Sequence, residues 1–246
     1  MKLLLAFCFL AAPASAQVKF STHNMTLIAA GTFYMGAPSF DGYDNEKPRH
    51  LVYLDSFWMD QYEVTAKDYR PFAEESKRIL KAQPFPDDAL APVVYVSWDD
   101  AHAYCKSIGK RLPTEAEWEK AARGGTNSQY SFGNQDEMLK EYAWYFVNGN
   151  KELHPVGQLK PNDYGLYDMH GNVLEWTADY FDPDYYQRSP KKNPQGPEEG
   201  KYRSVRGGSV YLSAKLQRVT HRMKGKQETR YSGRGFRCAA SSGDSD

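Results

Sequence analysis

The chain has 246 residues, 41% hydrophobic and 14% aromatic, which is enough bulk for one large domain or two small ones. Its 31 basic residues balance 31 acidic ones, so the overall charge supplies no field that would draw nucleic acid or an anionic membrane, and neither is expected as a partner. A mean hydropathy of -0.72, with no second apolar run after the N-terminus, excludes a membrane-embedded chain of helices.

The first 16 residues read as a secretory signal: Lys2 supplies positive charge, 3–12 form an apolar stretch, and Ala14-Ser15-Ala16 gives a small-residue cleavage site. The mature chain then begins at Gln17 and loses Cys8, leaving Cys105 and Cys238. Two distant cysteines in an exported chain read as one disulfide, since a zinc site wants four ligands at short spacings. Such a bridge ties the C-terminus to the middle of the chain. Secretion is the expected localisation, the periplasm if the source is a Gram-negative bacterium.

Taken in chain order, short strands are expected over 27–35, 50–54 and 57–59. A helix starts at Thr65, but Pro71 denies a backbone bond to the Lys67 carbonyl, so a kink or an early end is expected there. Over 97–109, Ser97 can cap, Asp100 suits the positive helix start, Ala101, Cys105 and Ile108 share one face, and Gly109 can end the helix. A second helix follows at once, because Thr114 and Glu117 have the spacing of a capping box and Gly124-Gly125 stop it. Segment 161–171 is rich in Gly, Pro, Asn and Asp without a period and reads as a long ordered loop. Segment 191–200 reads as an exposed loop, and 203–206 as a last strand. Loops of this extent need buried aromatics, a disulfide or bound cations to hold them.

Several segments together resemble the formylglycine-generating-enzyme (sulfatase-modifying-factor) family. They include Gly31-Thr32-Phe33-Tyr34-Met35-Gly36, Tyr62-Glu63-Val64-Thr65, and the long run Gly109-Lys110-Arg111-Leu112-Pro113-Thr114-Glu115-Ala116-Glu117-Trp118-Glu119 with Ala121-Ala122-Arg123-Gly124-Gly125. Further on come Tyr164-Gly165-Leu166-Tyr167-Asp168-Met169, Gly171-Asn172-Val173, Glu175-Trp176-Thr177, Arg206-Gly207-Gly208-Ser209 and Gly235-Phe236-Arg237-Cys238-Ala239. The likeness covers 26–240, between a short segment 17–25 and a tail 241–246. It implies an α+β, loop-rich domain of C-type-lectin-like topology with few short helices, and a disulfide at Cys105 and Cys238.

The resemblance also implies site chemistry, and here the chain departs from its family. Members that convert a sulfatase cysteine hold copper(I) on two cysteines five positions apart, and soft thiolates suit that ion. The corresponding positions here are Ala214 and Val219, so no copper is expected. An iron-dependent branch uses histidines and a carboxylate from an added helical region that this chain lacks; histidines 23, 50, 102, 154, 170 and 221 show no close pairing. Calcium is the expected cofactor, in a structural role: the likeness assigns it Asp168, the Gly171 and Val173 carbonyls, and Glu175, an all-oxygen set. The local alternative has Asp168 capping a turn and Glu175 in an ion pair. Leu174 stands where many relatives carry a tryptophan beside that glutamate. His221 and Arg222 fall where the family's pocket lies and are weak catalytic candidates. Tyr180, Tyr185 and Tyr186 either line a cleft or pack under a loop.

The functional expectation is an exported, monomeric maturation or tailoring factor acting on an exported peptide or protein without copper chemistry. A non-catalytic, lectin-like binding module for a protein or glycan is the alternative. Formylglycine generation by some other chemistry comes last.

Overall fold

The computed structural model describes residues 21–84 and 90–244. The signal segment with Cys8 lies outside the described residues. Strands are short and fall in three sheets. β1 (Met25–Ile28), β4 (Phe57–Asp60) and β9 (Ala239–Ser241) form an antiparallel sheet in the order β1-β4-β9. β2 (Gly31–Met35) and β3 (His50–Leu54) form a hairpin sheet. β7 (Met223–Gly225), β6 (Arg203–Arg206), β5 (Leu174–Tyr180) and β8 (Arg234–Gly235) make the third in the order β7-β6-β5-β8, with β5 and β8 parallel.

Among the described residues three α-helices join them. α1 (Ala66–Glu75) starts at Thr65, whose hydroxyl accepts the Asp68 N–H. It runs through Pro71 instead of ending there: one absent hydrogen bond is outweighed by the packing of Tyr69 and Ala73 in the core. α2 (Trp98–Ser107) opens on a complete capping box of Ser97 and Asp100, and Gly109 follows its end at φ 74°. α3 (Glu115–Arg123) opens on the Thr114–Glu117 box and closes on Gly124 in the left-handed conformation.

The expected strand over 27–35 is two strands in different sheets, because the chain turns at Ala29-Ala30 and re-enters at Gly31 with φ 148°. The expected disulfide is present: Cys105 in α2 and Cys238 just before β9 are bonded, with Cα atoms 5.7 Å apart. It sits in an apolar cluster with Tyr69, Trp176, Val205 and Phe236.

α3 positions the site. Every one of its nine residues is buried, wedged between β2 on one side and β5 and β6 on the other. Its apolar residues Ala116, Trp118, Ala121 and Ala122 join the main core. Its five ionisable residues must therefore find partners inside the protein.

A buried charge network and an acidic loop

Glu115 and Glu119 lie one turn apart on α3 and are met by arginines from β6 and from the segment before β7. Arg222 donates from Nε and Nη2 to the two oxygens of Glu115, each at 2.8 Å, and from Nη1 to the Asn45 carbonyl at 2.6 Å. The rings of Phe181 and Tyr186 lie 5.0 and 4.1 Å from its guanidinium carbon. Arg206 joins Glu119 at 2.6 Å and Glu115 at 3.4 Å, and also donates to the Val219 and Thr220 carbonyls. Arg123 reaches Glu119 at 2.7 Å. Alongside, Arg218 clamps Glu46 with both terminal nitrogens, at 2.9 and 2.8 Å. Burial works to raise Glu115 and Glu119, but Arg222 and Arg206 at the first, and Arg123 and Arg206 at the second, outweigh it and hold both carboxyls below their ordinary range.

His221 sits beside this network, 6% exposed, with Tyr43 leaning over it at 5.9 Å between ring centroids. Burial, reinforced by the charges of Arg206 and Arg218, lowers its pKa to about 4. The ring is neutral at physiological pH and cannot act as an imidazolium acid. Arg222, 2% exposed, is fully committed to Glu115, Asn45 and two aromatic faces. The structure thus brings the two candidate residues together but gives both a structural setting.

Of the positions that replace the family's cysteines, Val219 is in the core. Ala214 opens a one-turn 3-10 helix, and its carbonyl accepts the Tyr130 hydroxyl. Among the described residues the only cysteines are the bonded pair.

The second site is the 168–175 loop, whose Asp168 and Asn172 both take positive φ, at 59° and 54°. Gly171 passes so close to Trp144 that a Cβ would lie 2.2 Å from its carbonyl oxygen, which requires glycine there. Asp168 accepts the Gly157 N–H through Oδ2 at 2.8 Å, while its buried Oδ1 has no partner. Burial raises its pKa to about 6. Glu175 receives Arg237 through Nε and Nη2 and the Trp118 indole N–H at 2.9 Å. Glu63 accepts Asn172 Nδ2 at 2.7 Å and the Val173 N–H at 3.1 Å. Its pKa is pushed well up, by burial first and then by the charges of Asp168 and Glu175. Arg237 bonds to Glu175 alone, and its charge reaches Glu63 and Asp168 only at longer range. Among the described residues no three His, Cys, Asp or Glu side chains converge in a metal-holding group. For the calcium set the fit is divided. Asp168 offers a free buried oxygen; Glu175 has both oxygens engaged.

Leu174 is buried in the disulfide cluster. Tyr185 and Tyr186 are buried in the main core, and Tyr180 stacks on Arg203 at 3.6 Å, so the three tyrosines pack instead of lining an open cleft. The described histidines are dispersed: His102 stacks on Trp98, His154 on Trp144, and His170 is enclosed by Ser131 and Gln217. The residues the sequence reading missed are Glu46, Glu63, Glu115, Glu119, Arg206 and Arg237 as charge partners. Some of these pairs lie as many as 172 residues apart, a distance at which no local spacing signals them.

Fold and site together define a loop-rich α+β domain of C-type-lectin-like topology, knitted by buried ion pairs and one disulfide. The profile of the sulfatase-modifying factor enzyme 1-like domain matches residues 11–242, and the chain belongs to this FGE-sulfatase family. It is 34% identical to a formylglycine-generating enzyme of Streptomyces coelicolor, covering 93% of each chain. It is equally 34% identical to the inactive C-alpha-formylglycine-generating enzyme 2 of Bos taurus, over 90% of this chain and 89% of that one. Among solved structures it is similar to PvdO from Pseudomonas aeruginosa, with a TM-score of 0.78 and 27% identity, covering 88% of this chain and 94% of the other.

Proposed function

We propose that this protein is an exported maturation or tailoring factor that engages an exported peptide or protein without copper-thiolate chemistry. The observation that carries this reading is sulfur: Cys105 and Cys238, the two cysteines among the described residues, are bonded to each other in the core, and a disulfide offers no thiolate to copper(I). A disulfide is also the form expected in an oxidising compartment. A relative whose name states that it is inactive agrees with a scaffold that persists without the oxidation. The test is co-expression with a sulfatase and mass spectrometry of the target cysteine. The cysteine stays unmodified on this reading, and conversion to formylglycine sinks it.

A second reading, a non-catalytic binding module for a protein or glycan, is favoured by the state of His221 and Arg222, one neutral and one fully paired. Turnover of a partner by purified protein separates the two. Calcium belongs to either reading. Asp168, with its unpartnered oxygen, and the carbonyls of Gly171 and Val173 would hold it, and the ion would supply the bonded positive charge that Asp168 and Glu63 lack. Glu175 would join only by releasing part of its bonding to Arg237 and Trp118.

A further inference from the structure

At the far end of α3 from Glu115, a cavity of about 250 Å3 opens beside the β2–β3 hairpin. Lys120 and Arg123 line it, and no carboxylate does. The rings of Phe33, Tyr34 and Tyr164 form its apolar walls, with Asn127 at one side.

The two cations differ in how they are balanced. Arg123 is matched by Glu119. Lys120 is 6% exposed and donates only to neutral groups, the Ala29 carbonyl at 2.7 Å and the Gly31 carbonyl at 3.1 Å. Those bonds tie the 29–31 turn to α3 and use two of the three ammonium protons. No carboxylate pairs with Lys120 among the described residues. Burial lowers its pKa, as expected where no negative charge offsets desolvation. Outside the cavity lining, Arg49 stacks on the Tyr34 ring at 4.6 Å, a third cation nearby whose buried Nε has no partner.

A buried charge is stable when paired, and this one belongs to a residue that lines a cavity with aromatic sides. We propose that the cavity is a binding site for a carboxylate carried on a small aromatic or apolar body, anchored by Lys120 and sandwiched by Tyr34 and Tyr164. The carboxylate can come from a free organic acid or from the C-terminus of a peptide.

Benzoate is the probe, titrated into the full chain and followed by calorimetry and amide NMR. Saturable binding is expected, weakened at least tenfold by Lys120→Met and by replacing benzoate with neutral benzamide. Tyr34 is 46% exposed, so Tyr34→Ala keeps the fold and is expected to weaken binding severalfold even if Lys120→Met unfolds. Peptides ending in phenylalanine, as free acid and as amide, then tell the sources apart: preference for the free-acid peptide over benzoate assigns a peptide C-terminus, and the reverse assigns a small acid. No saturable benzoate binding by the wild-type chain overturns the proposal, as does equal binding of benzamide or of inorganic phosphate.

Discussion

Arg237 is the guanidinium bonded to buried Glu175, and its removal leaves that carboxylate with only the Trp118 indole N–H. Arg237→Met is expected to cost about 3–5 kcal/mol in urea denaturation, the range for a buried pair broken on one side; a loss below about 1 kcal/mol would mean that Glu175 is balanced by something else. Histidine gives a second prediction at this scale. His170 accepts the Ser131 N–H through Nε2, so its proton sits on Nδ1 and points to the Gln217 carbonyl. Burial depresses this ring and His221 alike to about 4. Both rings are neutral in the fold yet protonate near pH 6.5 once unfolded. Their contribution is therefore complete above pH 6.5 and is lost as pH falls toward 4, up to about 3 kcal/mol each. His170→Asn and His221→Asn should each flatten the fall in melting temperature between pH 7 and pH 5. An unchanged slope in both would refute the assignment.

α2 and α3 were legible to within a residue or so, because capping boxes and C-terminal glycines are chemistry between neighbours. Thr114→Ala removes the hydroxyl that accepts the Glu117 N–H and should cost about 1 kcal/mol, measured by chemical denaturation; no loss would mean that burial alone sets the helix start. The strands were harder to read. β5 runs Leu-Glu-Trp-Thr-Ala-Asp-Tyr and is buried on both faces along most of its length, so the alternation that marks a half-exposed strand is missing. Its first two residues were instead assigned to a cation loop. β8 has two residues and β7 and β9 three each, too short for any period to show. α3 has an apolar patch of Trp118, Ala121 and Ala122, yet it is enclosed all round. Its glutamates look like surface residues until the arginines of β6 and 218–222 arrive from elsewhere in the chain.

Over the whole molecule, the disulfide spans a sequence separation of 133, and reduction is expected to lower stability by at most about 5 kcal/mol on the chain-entropy account. Thermal melts with and without reductant measure it; an unchanged melting temperature would show that the core of α2 and β9 holds without the bond. Calcium gives a parallel measurement. On the proposed assignment, EDTA lowers the melting temperature, millimolar calcium restores it, and Asp168→Asn blunts the response. An insensitive wild-type protein would mean that the acidic loop is complete with Arg237 alone. The charge network that organises the site was beyond sequence reading, because Glu46 and Arg218, or Glu63 and Val173, meet only after the sheets assemble.

The segment that leads into β9 carries a further consequence for folding. Arg237, Cys238 and Ala239 stand side by side near the end of the chain, and each completes something begun far upstream: an electrostatic balance, a covalent bond and a sheet edge. A chain cut before Arg237 therefore holds a lone Cys105 thiol and leaves Glu175 without its guanidinium partner. Truncation just before Arg237 is expected to abolish the cooperative thermal transition, because the bond, the ion pair and the β4–β9 pairing are lost together.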